Sequence, residues 1–310
     1  MFQHETVLLQ QTVDALHVHD GGTYVDATFG RGGHTRYLLA QGQNLQVFAF
    51  DRDQSAIDAG QKLLEQTNKK TSNHLELIKA NFTDLASALD NHLIDGILYD
   101  LGVSSPQFDD PKRGFSYRYD ARLDMRMDQT QDLDAYQIVN TWTAQQLIQI
   151  LHRYGDEKFA QRIANNIIQQ RSNRPILTTL QLSEIVNNSI PAAARRKMKK
   201  NPSKKTFQAI RIAVNDELSA VHDSLEAAIS LLKPQGIISV ITFQSLEDKI
   251  VKQIFRQRSM DKAPRDLPVV PKQLQPELKL LTKKPILPSA LELEHNRRSH
   301  SARLRIAQKN

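Results

Sequence analysis

A chain of 310 residues, 40% hydrophobic and 24% charged, can bury one large core or two modest ones, as ordinary globular proteins do. It has no cysteine, which excludes disulfides, thiolate metal sites and a cysteine nucleophile. No stretch reaches the length of a membrane span and MFQHETVLLQ lacks the order of a signal peptide, so a cytoplasmic protein with no membrane partner is expected.

The first hundred residues alternate apolar runs with helical stretches, the pattern of a doubly wound α/β sheet. GGTYVDAT (21–28) reads as a first strand, followed by the loop DATFGRGGHT (26–35) with Gly30, Gly32 and Gly33. HTRYLLAQ (34–41) starts a helix, LQVFAFD (45–51) is a second strand ending at Asp51, and 53–66 is again helical. LELIKAN (75–81) and IDGILYDLG (94–102) read as strands three and four. Continuous apolar runs of this kind suit strands covered on both faces.

From Ser104 to about Lys205 the strand signal stops. PQFDDPKRGFSYRYDARLDMRMD (106–128) is polar and turn-rich, and places Phe108, Phe115, Tyr117 and Tyr119 among arginines, a composition suited to base stacking and phosphate contact. Helices are predicted over 144–154, 156–170 and 179–190, so 105–205 is expected to be an inserted, mostly helical, substrate-recognition domain. The core domain would then be 1–104 with 206–310. There, one long amphipathic helix is predicted over 206–233, a fifth strand over 236–244, a loop with one strand in PELKLLTKKPIL (276–287), and a last strand at the sheet edge in ARLRIAQ (302–308).

The net charge of +7 matters through its distribution. Between Glu184 and Asp216 there is no acidic residue, while ARRKMKKNPSKK carries Arg195, Arg196, Lys197, Lys199, Lys200, Lys204 and Lys205. A field with nothing nearby to neutralise it favours a polyanion, and Arg195, Arg196, Lys199, Lys200, Lys204 and Lys205 are the expected contacts to it.

The glycine loop lies at a strand-to-helix turn, where parallel sheets bind ligands, and Asp51 ends the next strand about twenty residues on. An acid so placed can accept bonds from both ribose hydroxyls of an adenosine cofactor, NAD or S-adenosylmethionine. Asp26 before the loop suits a cationic sulfonium and an amino group better than a pyrophosphate, and Asn81-Phe82 offers a ring to an adenine face. The spacing is not the G-x-G-x-x-G that an NAD-dependent dehydrogenase requires. No H-E-x-x-H or comparable histidine cluster predicts a metal.

HETVLL (4–9), DATFGRGGHT, FDRD (50–53), DLGVSSPQ (100–107), RGFSY with LDMRMD (113–128), YGDEKFAQRIA (154–164), KTFQAIRIAVNDEL (205–218), SLEDKIVK (245–252) and LRIA (304–307) run in order along the chain. In these segments the chain resembles the bacterial 16S ribosomal RNA cytosine-N4 methyltransferase family, RsmH or MraW. The resemblance implies a class I S-adenosylmethionine-dependent methyltransferase: α/β, Rossmann-like, with a mostly parallel sheet, an antiparallel last strand and an inserted helical domain. It implies methylation of the exocyclic N4 of a cytidine in the decoding centre, with 16S rRNA of the small ribosomal subunit as partner. A second copy of the chain is a further candidate partner. Carried over by position, the cofactor contacts are Gly32, Gly33, His34, Asp51, Phe82, Asp100 and Gln107. Asp100 is also the candidate acceptor for the proton that N4 sheds.

Five positions depart from the family pattern. Gln244 stands for a usual histidine, Lys249 for arginine, Asn201 for histidine, Lys205 for arginine and His300 for arginine. Lysine keeps the charge but loses the bidentate fork. Glutamine cannot carry a proton, so Gln244 counts against a catalytic base at that position. A non-catalytic ribosome assembly factor that kept the fold is the remaining alternative.

Overall fold

The computed structural model describes residues 5–198, 201–261 and 275–310. The chain divides into two compact units, Met1–Gly102 with Leu218–Asn310, and Val103–Glu217.

Among the described residues the first unit is built on seven strands: β1 (Thr23–Asp26), β2 (Gln46–Asp51), β3 (His74–Lys79), β4 (Ile94–Asp100), β5 (Leu232–Thr242), β6 (Leu278–Leu280) and β7 (Arg303–Lys309). Their order is β3-β2-β1-β4-β5-β7-β6. The first five are parallel, and β7 runs antiparallel to β5 and to β6. Alternation along each strand feeds two cores. Val25, Ile97, Tyr99, Ile238 and Val240 pack on one face with Val221 and Leu225 of helix Glu217–Leu231. Tyr24, Val47, Leu98, Ile237 and Ile241 pack on the other with Val13, Leu16 and Leu38. Both faces are covered, which is why the strands read as unbroken apolar runs.

Two expectations are corrected here. The last strand, β7, is not at the edge: β6, the short strand within PELKLLTKKPIL, pairs outside it from Leu278↔Lys309 to Leu280↔Ala307. Three residues are too few to signal an edge by alternation, and a short edge resists pairing with other chains. The predicted helix over 206–233 is two helices, Ser203–Asn215 and Glu217–Leu231, separated by Asp216 in the left-handed region at φ 46°. The stripe of apolar residues hides the break because each half buries its own part. Phe207, Ile210 and Val214 enter the core of the second unit, whereas Val221 and Leu225 enter that of the sheet. The unit boundary therefore falls at 217/218 rather than 205/206. Helices Leu9–Asp14, Ser245–Arg258 and Ala290–His295 were not among the predicted elements.

The second unit holds helices Ala135–Thr141, Ala144–Gly155, Ala160–Asn173, Thr179–Ser189 and Ser203–Asn215 around a core that includes Leu123, Met125, Ile150, Ile163 and Ile167. Thr143 with Gln146, and Thr178 with Gln181, form reciprocal boxes that start two of these helices. Buried polar contacts fix the break at Asp216 from both sides. Asn215 donates to Met125 O at 2.8 Å and accepts from Met127 N at 2.8 Å, and Glu217 takes Arg211 Nε and Nη2 at 2.8 Å each. Among the described residues no helix is long and apolar enough to cross a membrane.

Candidate active site

Strand order reverses between β1 and β4, and three aspartates, Asp26, Asp51 and Asp100, end β1, β2 and β4. Asp26 is fully buried and braces the loop from within: Oδ1 accepts from Thr28 N at 3.0 Å and Oδ2 from the Thr35 hydroxyl at 2.6 Å. Asp51 holds the loop from the side, its Oδ2 accepting from Gly30 N at 2.8 Å and its Oδ1 from Asp53 N at 2.8 Å. Each oxygen keeps a second lone pair for a ligand hydroxyl.

The three glycines have three different causes. Gly32 is left-handed at φ 71°, and a Cβ there would lie 2.8 Å from the Phe29 ring. A Cβ on Gly33 would lie 1.9 Å from Thr6 Oγ1. Both are explained by the protein's own packing. Gly30, at φ 55°, would meet only Thr28 O at 3.9 Å, so its surroundings are open to a ligand.

Asp100 is anchored by its amide, which donates to Thr28 Oγ1 at 2.6 Å, while its Oδ1 is buried with no hydrogen-bond partner among the described residues. His34 is buried in helix Gly33–Leu39 with Nδ1 4.0 Å from Asp100 Oδ2. Phe82 follows β3 and meets the Tyr99 ring edge-on at 5.9 Å, so part of it belongs to the core. Glu247, which the sequence reading did not single out, is buried near the start of helix Ser245–Arg258, and its Oε2 accepts from Phe243 N at 2.9 Å and Gln244 N at 3.1 Å. The acid of SLED at the start of a helix after a strand was the available signal.

These acids shape one another. Burial, then the charges of Asp26 and Glu247, push Asp100 up to about 8. Burial likewise pushes Asp26 and Asp51 up to about 6, against the lowering effect of their hydrogen bonds. Such a site gains by receiving a positive charge. A sulfonium with an α-ammonium supplies it, and Gly30 and Asp51 suit the ribose, so the residues present fit S-adenosylmethionine. A pyrophosphate would meet repulsion instead. Among the described residues no group of three or more histidines and acids could hold a metal ion.

The remaining predicted residues lie in the second unit. Gln107 is buried in helix Ser105–Asp109, and its Oε1 accepts from Ser104 N at 3.0 Å. Of the four aromatics, Phe108 and Tyr119 are exposed, whereas Phe115 is buried beneath the Arg113 guanidinium and Tyr117 packs edge-on to Phe207 at 5.5 Å. Arg126 and Arg122 are paired with Asp124 and Asp134. In the basic run Arg195, Arg196 and Lys204 are exposed, with Arg195 Nη1 on Asn187 O at 2.9 Å. Lys205 is engaged, its ammonium donating to Asp156 O at 2.5 Å. Lys199 and Lys200 lie outside the described residues.

A parallel sheet with a glycine loop after β1, aspartates at the ends of β2 and β4 and an antiparallel seventh strand has the architecture of a class I S-adenosylmethionine-dependent methyltransferase. The sequence model of the MraW methylase family matches residues 1–310, and the chain belongs to that family. It is similar to the "Ribosomal RNA small subunit methyltransferase H" of Lactobacillus johnsonii, 54% identical over 313 residues and 99% of each chain. The protein of the same name from Lactobacillus delbrueckii subsp. bulgaricus is 55% identical over 312 residues, again 99% of each. A solved rRNA methylase from Streptococcus thermophilus aligns over 100% of this chain and 98% of its own at TM-score 0.45 and 12% identity, too distant to carry an argument. The dehydrogenase and non-catalytic readings find no support in these relatives.

Proposed function

We propose that the chain transfers a methyl group from S-adenosylmethionine to the exocyclic N4 of a cytidine in the decoding centre of small-subunit ribosomal RNA. The observation that carries the chemistry is Asp100: a buried acceptor oxygen without a partner, among carboxylates, beside a loop with open space at Gly30. The relatives' names supply the substrate class.

When bound, the cofactor supplies an activated methyl group whose sulfur leaves as a neutral thioether. The protein's own work is alignment and proton handling. Asp51 accepts the ribose hydroxyls while it holds Gly30, and Gly32, Gly33 and His34 shape the loop around the donor. Phe82 offers its ring to the adenine. Asp100 accepts a hydrogen bond from the N4 amino group, which localises its lone pair. In its ionised form, which the donor's positive charge favours, the same carboxylate can take the proton that N4 releases. Gln107 is assigned to the cofactor on family position. The second unit recognises the RNA, with Arg195, Arg196, Lys199, Lys200 and Lys204 on phosphates. Lys205, spent on Asp156, contributes less.

Labelled donor incubated with unmodified small subunits, followed by mapping of the methylated base, tests the reading. N4-methylcytidine at one decoding-centre position is expected; label at carbon 5, or none, overturns it.

A further inference from the structure

Thr6 belongs to HETVLL, a motif that the roles above do not absorb. Its hydroxyl occupies the space a side chain on Gly33 would fill, since a Cβ there would lie 1.9 Å from Thr6 Oγ1. The chain does not reach this position by default. Leu8 is fully buried and left-handed, at φ 50° and ψ 34°, a region that ordinary side chains avoid. The far end of the chain holds it there. Leu8 N donates to Glu292 Oε1 at 2.8 Å, and Asn296 Nδ2 donates to Glu5 O at 3.0 Å. Glu292 sits in helix Ala290–His295, and the buried Asn296 closes that helix.

The strap covers one end of the loop only. Gly30 lies at the Asp51 end, whereas Gly33 is two residues from Thr35, whose hydroxyl is bound to Asp26. The Asp51 end suits the ribose, and the Asp26 end suits the charged amino-acid portion of the donor. We infer that the Thr6 hydroxyl is a binding residue for the amino-acid end of the methyl donor, placed there by the Glu292–Asn296 latch. The inference rests on the donor reading above.

Calorimetric titration with S-adenosylhomocysteine and with 5′-methylthioadenosine, the same thioether without the amino acid, tests it. Thr6→Val keeps the shape and loses the hydroxyl, Thr6→Ser keeps the hydroxyl, and Glu292→Ala releases the strap. Thr6→Val and Glu292→Ala are expected to weaken S-adenosylhomocysteine about tenfold and methylthioadenosine by less than about twofold, as loss of one hydrogen bond at one end of the ligand requires. Thr6→Ser should match the parent for both. Equal losses for the two ligands, or no loss in Thr6→Val, overturn the assignment of Thr6 and leave the donor reading standing. A parent that binds neither ligand overturns the donor reading and this inference with it.

Discussion

In the sheet unit, Asp100 has one buried carboxylate oxygen and feels the charges of Asp26 and Glu247, and desolvation together with that repulsion drives it up to about 8. In the helical unit, Arg211 and Glu217 are buried as a bidentate pair at 2.8 Å, and Asp124 is held below its usual range by Arg126 and Arg122 despite its own burial. The same expense of burial is met in one place by a partner within the chain and in the other left for a ligand. A charge paired at home fixes a backbone feature, here the turn at Asp216. Carboxylates crowded together await a cation, and that distinction separates scaffold from site.

The sharpest way to break the comparison is to unpair the scaffold. Glu217→Ala leaves the Arg211 guanidinium buried without its carboxylate and should cost roughly 3–5 kcal/mol of stability. Chemical denaturation would measure it. The double replacement Arg211→Met with Glu217→Leu should recover most of that loss, because no charge remains to be desolvated. A double variant as unstable as the single one would show that the pair does more than compensate itself.

The opposite result is expected in the site. The Asp100 carboxyl ionises near 8 when folded and near its ordinary 3.8 when unfolded. The unfolded chain therefore gives up its proton first, and the folded state is penalised increasingly from about pH 4 until the penalty levels off above about pH 8. Asp100→Asn should raise the melting temperature at pH 9 and leave it unchanged at pH 4. The same substitution should weaken the donor at least about tenfold, since it removes a charge from the sulfonium's surroundings. In the parent, donor affinity should rise with pH up to about 8, with proton release visible as a buffer-dependent binding enthalpy. A variant less stable than the parent at pH 9 would mean that Asp100 is paired after all.

Much of the sheet unit was legible before any coordinates. Strands buried on both faces are continuous apolar runs, and Asp26, Asp51 and Asp100 each stand where such a run stops, so position along the chain was position in the site. What could not be read depends on contacts between distant residues. That Gly33 is small for Thr6 rather than for a ligand requires the amino-terminal segment to cross the loop. That a continuous stripe from Phe207 to Leu225 serves two cores requires the break at Asp216, which leaves the period intact. Lys205 looked like its neighbours in ARRKMKKNPSKK, but Gly155 lets the backbone at Lys205 approach closely and brings the Asp156 carbonyl within reach of its ammonium.

That last distinction gives the smallest predicted effect and the finest test of the comparison, since it separates paired from unpaired cations within one basic run. Arg195, Arg196 and Lys197 are exposed, and Arg195 commits one of its five N–H groups to Asn187 O. If about six phosphates are neutralised in all, log affinity for small-subunit RNA should fall against log salt with a slope near −4 to −5. Replacing Arg195 and Arg196 by alanine should make the slope shallower by about 1.5, with a loss of affinity that is similar for matched and mismatched sequences. Lys205→Ala should leave the slope within about half a unit of the parent, because its ammonium already has oxygen partners. A Lys205 variant that alters the slope as much as Arg196→Ala would mean that a bond inside the chain does not withdraw a cation from the RNA.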